Sequence, residues 1–316
     1  MTRHLRSPFL AAGLCLLALT AGCGGGGARI QGLSQHSADQ LLASQAAKSA
    51  LDQRDRKPLS VLELERQGDG ESMKGEWLAG LLYYEQAFGK AEAKPARDRI
   101  TGKIGMVLLK TKAWDRAEVV LQKAVAAQPS QASLWRGLGY ARLGRNRLAG
   151  AEEALTRALS LDPNDWRAAN ALGVALNWEK RPAEAQAAFQ RALSIKPGNP
   201  AVLNNLGLAF LLQGQTGPAE RAFLAALESR QGFEKAANNL GALYAKLGRN
   251  DEALKAFTRG VGRARAHNNL GCYLAWRGDT LGASQHFRLA LRAMPAYYQK
   301  AGRNLRQING EGPLDQ

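Results

Sequence analysis

The sequence predicts an all-α solenoid of about six tandem helix–turn–helix units, and three observations predict it. Leu138-Gly139, Leu172-Gly173, Leu206-Gly207 and Leu240-Gly241 recur at a step of 34 residues. Ala117, Ala151, Ala185, Ala219 and Ala253 keep that step, as do Leu121, Leu155, Phe189, Phe223 and Phe257. Pro129, Pro163 and Pro197 close the second half of their units in the same register. A constant period of this length marks stacked helix pairs, each burying its apolar face against the next. Such a stack holds other molecules rather than transforming them.

The N-terminus comes first in the chain. Arg3 and Arg6 give a basic start, and Phe9–Leu19 is an apolar run too short to span a bilayer. Residues 1–22 therefore read as a secretory signal. Leu19-Thr20-Ala21-Gly22-Cys23 resembles the bacterial lipobox, although Thr20 stands where Leu is commoner. The resemblance implies cleavage before Cys23 and acylation of that residue, so that acyl chains hold the protein on a membrane. Gly24 follows, not the Asp that signals inner-membrane retention. The expected location is the outer membrane, facing the periplasm.

Residues 23–60 read as the lipidated Cys23 and a tether: 24–37 is Gly-rich and polar, Ser37–Gln53 has the look of a modest helix, and Arg54–Pro58 is a charged break. Trp77, Leu78, Leu81, Leu82, Tyr84 and Phe88 suggest one long helix within 61–97, acting as an N-terminal cap or a degenerate repeat. The repeats then run 98–131, 132–165, 166–199, 200–233, 234–263 and 264–297. In the fourth, Leu206, Gly207 and Phe210 share one face of a first helix. Gly214 closes it, Thr216 or Gly217 caps the next, and Pro218 suits the first turn. Gly207 and Ala219 allow the helices close approach, and Phe223 fills the gap towards the neighbouring pair. The fifth unit departs, because Leu240-Gly241 to Leu270-Gly271 is a step of 30. A shortened second helix around Asp251–Arg259 is expected there, with Gly260 in place of Ala. Residues 298–316 complete the chain as a capping helix and tail.

The pattern L-G-x-x-[YFL], G, A-x-x-x-F-x-x-A, P resembles the tetratricopeptide repeat. That resemblance implies a right-handed solenoid with a concave face lined by first-helix residues. It places Asn204, Asn205, Asn238, Asn239, Asn268 and Asn269 on that face, the second Asn of each pair forming an amide ladder. Tyr140, Val174, Trp178, Leu208, Leu212 and Trp276 accompany them as apolar neighbours. An amide both donates and accepts, so the ladder suits a partner's main chain. The family's carboxylate clamp is not matched: Asn204, Asn238 and Asn268 hold the place of its Lys, and Val174, Leu208, Ala242 and Cys272 the place of a second Asn. An extended or helical protein segment with apolar side chains is the expected partner.

Charge and composition narrow the classes further. The formal net charge of +16 becomes +14 once Arg3 and Arg6 leave with the signal. Between Lys255 and Arg306 ten basic residues face one acid, Asp279. Arg263, Arg265, Arg288, Arg292, Arg303 and Arg306 form the candidate basic patch, suited to anionic lipid or an acidic protein surface. Export argues against nucleic acid. Cys15 leaves with the signal, Cys23 is lipidated and Cys272 stands alone as a small apolar groove residue, so packing alone must stabilise the stack. His36, His267 and His286 have no helical metal spacing, and no HExxH, CxxC or nucleophile motif occurs. His267 is expected in a packing role. The sequence thus points to a scaffold without cofactor, metal or catalytic site. Lipobox plus tandem repeats is similar to the lipoproteins of tight-adherence (Flp) pilus assembly and to type IV pilus pilotins.

Overall fold

The computed structural model describes residues 58–294 and 298–310; Cys23, the signal, the Ser37–Gln53 helix and Pro295 lie outside the described residues. Those described form an all-α chain of fifteen helices that falls into two compact units, one within 29–197 and one from Gly198 onward.

In the first unit, α1 (Val61–Lys74) and α2 (Trp77–Lys90) are followed by α3 (Lys94–Lys110), α4 (Trp114–Ala127), α5 (Ala132–Gly144), α6 (Leu148–Leu161), α7 (Trp166–Trp178) and α8 (Pro182–Ile195). Each helix packs on its successor, and the first helices α3, α5 and α7 also touch in sequence. The long helix expected within 61–97 is instead a hairpin. Ser60 and Glu63 make a capping box at the start of α1, and Gly75 ends it in a left-handed conformation (φ 86°) that a residue with a side chain resists. The chain reverses there, and Leu64, Leu81, Tyr84 and Ala87 go into the core beside Ile100 and Leu108. Asp165 opens α7 by accepting from the Arg167 and Ala168 amides.

The second unit comprises α9 (Pro200–Leu212), α10 (Thr216–Ser229), α11 (Glu234–Lys246), α12 (Asn250–Val261), α13 (Arg263–Trp276), α14 (Thr280–Ala293) and α15 (Tyr298–Ile308). Asn199 caps α9 ahead of Pro200. Thr216 is already the first helical residue of α10 rather than its cap, the preceding Gln215 making no side-chain cap bond. The four residues missing from the fifth repeat come out of a helix and a connection together. α12 has 12 residues where α10 and α14 have 14. Gly262 alone (φ 78°) separates it from α13, where Arg230–Phe233 separate α10 from α11, and α13 restores one residue by being 14 long where α11 is 13. Gly260 is required by the same compression, since a Cβ there would lie 2.5 Å from the Ala237 methyl.

The repeated Gly and the repeated ring are one contact. A Cβ on Gly207 would stand 2.5 Å from the Phe223 ring, on Gly173 2.5 Å from Phe189, on Gly241 2.6 Å from Phe257 and on Gly271 2.7 Å from Phe287. Leu155 against Gly139 and Leu121 against Gly105 do the same with an aliphatic side chain. Phe223 therefore seats against the Gly of its own pair, and it also shares a core cluster with Ala236, Ala237 and Leu240 of the next pair. All four phenyl rings are essentially inaccessible, and each removes a large apolar area from water.

Candidate functional site

The first helices carry the residues that the sequence assigns to a binding face, and the structure divides them. Within the second unit the Asn residues bridge neighbouring helices. Asn239 Nδ2 on α11 donates to Asn204 Oδ1 on α9 at 2.8 Å, and Asn269 Nδ2 on α13 donates to Asn238 Oδ1 at 3.3 Å. Asn304 Nδ2 on α15 donates to Asn268 Oδ1 at 3.0 Å, and Asn268 is fully buried. Asn204, Asn239 and Asn269 are buried as well, while Asn205 and Asn238 are half-buried. The open ladder of Asn205, Asn239 and Asn269 is therefore not formed. Side-by-side first helices bring the amides within reach of one another, and a buried amide takes the nearest partner.

The apolar candidates divide as well. Trp178 is 38% exposed, Leu212 42% and Trp276 48%. All three sit six residues after the Leu of their Leu-Gly pair, at the C-terminal end of a first helix. Leu208 packs against the core, and Tyr140 donates its hydroxyl to the Arg167 carbonyl at 3.3 Å. Cys272 is half-buried beside Asn304, whose Nδ2 is 3.5 Å from Sγ. His267 is buried as expected, but it is not alone: its Nδ1 lies 3.0 Å from Nδ1 of His286 on α14. Burial pushes both imidazoles below the usual histidine range, and the charges of His286 and Arg263 add to this at His267.

Two features escaped the sequence reading. One is a cleft of ≈ 490 Å³ in the first unit between α2, α3 and the start of α5, with Ser72 of α1 at its edge. Trp77, Tyr84, Arg99, Lys103, Met106 and Lys110 line it. Its cations are partly neutralised. Arg99 grips buried Glu65 with two bonds of 2.6 and 3.0 Å, and Lys103 reaches Asp69 at 2.8 Å. Arg99 chiefly holds the Glu65 carboxyl below its usual range; at Asp69 burial pushes upward, and Lys103 and Tyr84 more than reverse it. Lys110 lies 5.5 Å from the centre of the Trp77 ring, a cation–π distance. The cleft depends on the α1–α2 hairpin, so reading 61–97 as one helix concealed it.

The other is a set of ion pairs between a second helix and the arginine just before the next second helix. Glu118 meets Arg147 at 3.1 Å, Glu152 meets Arg181 at 2.7 Å and Glu220 meets Arg249 at 3.1 Å. Each pair joins residues 29 apart, so the 34-residue step does carry the signal. Buried Glu118 also takes a bond from Arg145 and lies near Arg142; burial pushes its carboxyl up, and Arg145 and Arg147 more than reverse it.

On the basic patch, Arg263, Arg288, Arg292 and Arg303 are exposed and Arg265 and Arg306 half-buried. Asp279 is occupied in accepting the Gly282 amide at 2.8 Å at the start of α14. No helix among the described residues is long and apolar enough to cross a membrane.

A family model described as the Cilia and flagella-associated protein 70 C-terminal domain matches residues 31–236, and a Tetratricopeptide repeat model matches 204–269. No curated protein matches the chain significantly. Among solved structures, a tetratricopeptide repeat protein from Parabacteroides merdae aligns over 79% of this chain and 98% of its own, at 15% identity and TM-score 0.59. Pseudomonas aeruginosa PilF aligns over 68% of this chain and 97% of its own, at 22% identity and TM-score 0.52. PilW, described as a widely conserved type IV pilus biogenesis factor, aligns over 67% and 98%, at 22% identity and TM-score 0.54. These likenesses show a common fold. The helix pairs, the contact of a Gly with a ring or a leucine across them and the two family models together make this chain a member of the tetratricopeptide repeat family, in the group described by the Cilia and flagella-associated protein 70 C-terminal domain.

Proposed function

We propose that this protein is a non-catalytic interaction scaffold, held at the outer membrane through acylated Cys23, that assists assembly of a pilus or secretion apparatus of the tight-adherence (Flp) type. The observation that carries the scaffold reading is the recurrence of exposed apolar side chains at one repeat position, Trp178, Leu212 and Trp276. Large apolar groups left in water at a fixed place in the repeat are suited to a partner's apolar side chains. The pilus assignment draws on the lipobox-like Leu19–Cys23 and on the fold shared with PilF and PilW.

Cross-linking in cells, purification of the protein and mass spectrometry test this reading. Recovery of a secretin or pilus components is the expected result, diminished by Trp178→Ala with Trp276→Ala and by Cys23→Ser. Recovery of cell-wall hydrolases or synthases would replace it with a second reading, an envelope adaptor recruiting peptidoglycan enzymes or binding anionic envelope polymers. The excess of basic residues from Lys255 to Arg306 favours that alternative.

A further inference from the structure

The outward face of α14 combines two properties that a solvated helix face does not need. Leu281, Gln285, Arg288, Leu289 and Arg292 are all exposed. Their spacing of four, three, one and three residues puts them on one side of the helix. The opposite side, Ala283, Phe287 and Ala290, is buried in the core. Leu281 is 72% exposed, and Met294 just beyond the helix 44%. α15 packs against α14 and adds exposed Arg303. The one acid in this stretch, Asp279, is committed to capping α14.

We propose that this outer face of α14 docks on the phosphate-bearing surface of a lipid bilayer. Charge complementarity selects an anionic occupant. The apolar members select lipid over an acidic protein: Leu281, Leu289 and Met294 are spread singly along the helix, with Leu289 set between Arg288 and Arg292. Leucine and methionine interspersed with arginines suit the headgroup boundary, where apolar tips enter the acyl edge while guanidiniums bind phosphates. The inference rests on the envelope location proposed above and is independent of acylation and of the pilus partner.

The test uses the full chain carrying Cys23→Ser, sedimented with phosphatidylcholine vesicles with and without phosphatidylglycerol. The expected result is selective binding to phosphatidylglycerol vesicles, weakened about thirtyfold by Arg288→Gln with Arg292→Gln. Leu281→Ser should weaken it further, and added salt should release the protein. Both arginines are exposed, so circular dichroism should show the variants folded. Equal binding to both vesicle types, or unchanged binding by a folded double-arginine variant, would overturn the proposal. So would poly-glutamate binding as tightly as the vesicles, which would reassign the face to an acidic protein. Loss of pilus components in the cross-linking experiment, with vesicle binding intact, would sink the scaffold reading alone.

Discussion

At the scale of single residues, the glycine in each Leu-Gly pair is set by a neighbour and not by its own backbone. Gly207 lies in a helix, where glycine costs stability relative to alanine. It is kept because the buried Phe223 ring occupies the space of a Cβ. Gly207→Ala should therefore destabilise, by about 1–3 kcal/mol as overpacking. Gly70 in α1 has no atom within 4 Å of such a Cβ, so Gly70→Ala should stabilise by about 0.5–1 kcal/mol. Thermal melts of the two variants should move in opposite directions; equal shifts would show that helix propensity alone governs both sites. The glycines were legible because only one residue type fits. The Asn residues were not: their positions told that they lie on first helices, but the distance between those helices decides whether an amide meets a partner protein or its own neighbour.

At the scale of elements, α13 and α14 carry the only described histidines, and these face each other. The positive group beside them is Arg263 and the negative one Asp279, which draws the His286 proton affinity back up. Both imidazoles hold protons less readily in the fold than in the open chain. Below pH ~6.5 the unfolded state then binds more protons, so stability is complete above that value and falls as pH drops beneath it. Melts between pH 8 and 5 should show this loss, and His286→Gln should shrink it. An unchanged slope in the variant would assign the acid sensitivity elsewhere. Element boundaries explain what the sequence concealed. The α1–α2 hairpin lacks the Leu-Gly and Ala-x-x-x-Phe signature, and Gly75, where the chain turns, is one glycine among several, Gly68, Gly70 and Gly80 lying inside the helices on either side. The short fifth repeat was legible as a missing turn, but the sequence could not divide the loss between helix and connection. Gly262 makes that division, through a conformation open to almost no other residue.

At the scale of the whole molecule, a repeat array is stabilised pair by pair, so unfolding need not be all-or-none. The tryptophans report unevenly: Trp77, Trp114, Trp135, Trp166 and Trp178 precede Gly198 and only Trp276 follows. Leu206→Ala leaves a cavity in the second unit and should cost about 2–5 kcal/mol. Helix content by circular dichroism should then fall at lower denaturant, while tryptophan fluorescence, dominated by the first unit, shifts less. Coincident shifts of both signals would reveal a single cooperative block. The Gly–ring contact bears on ancestry too. Because each ring closes on the glycine of its own pair, a pair brings its lock with it when its 34 codons are copied. Unequal recombination between neighbouring copies can lengthen or shorten such a gene in whole units without inventing a new fit. Phe189, Phe223, Phe257 and Phe287 each keep that contact within their own pair, so any of these units could be gained or lost with its fit intact.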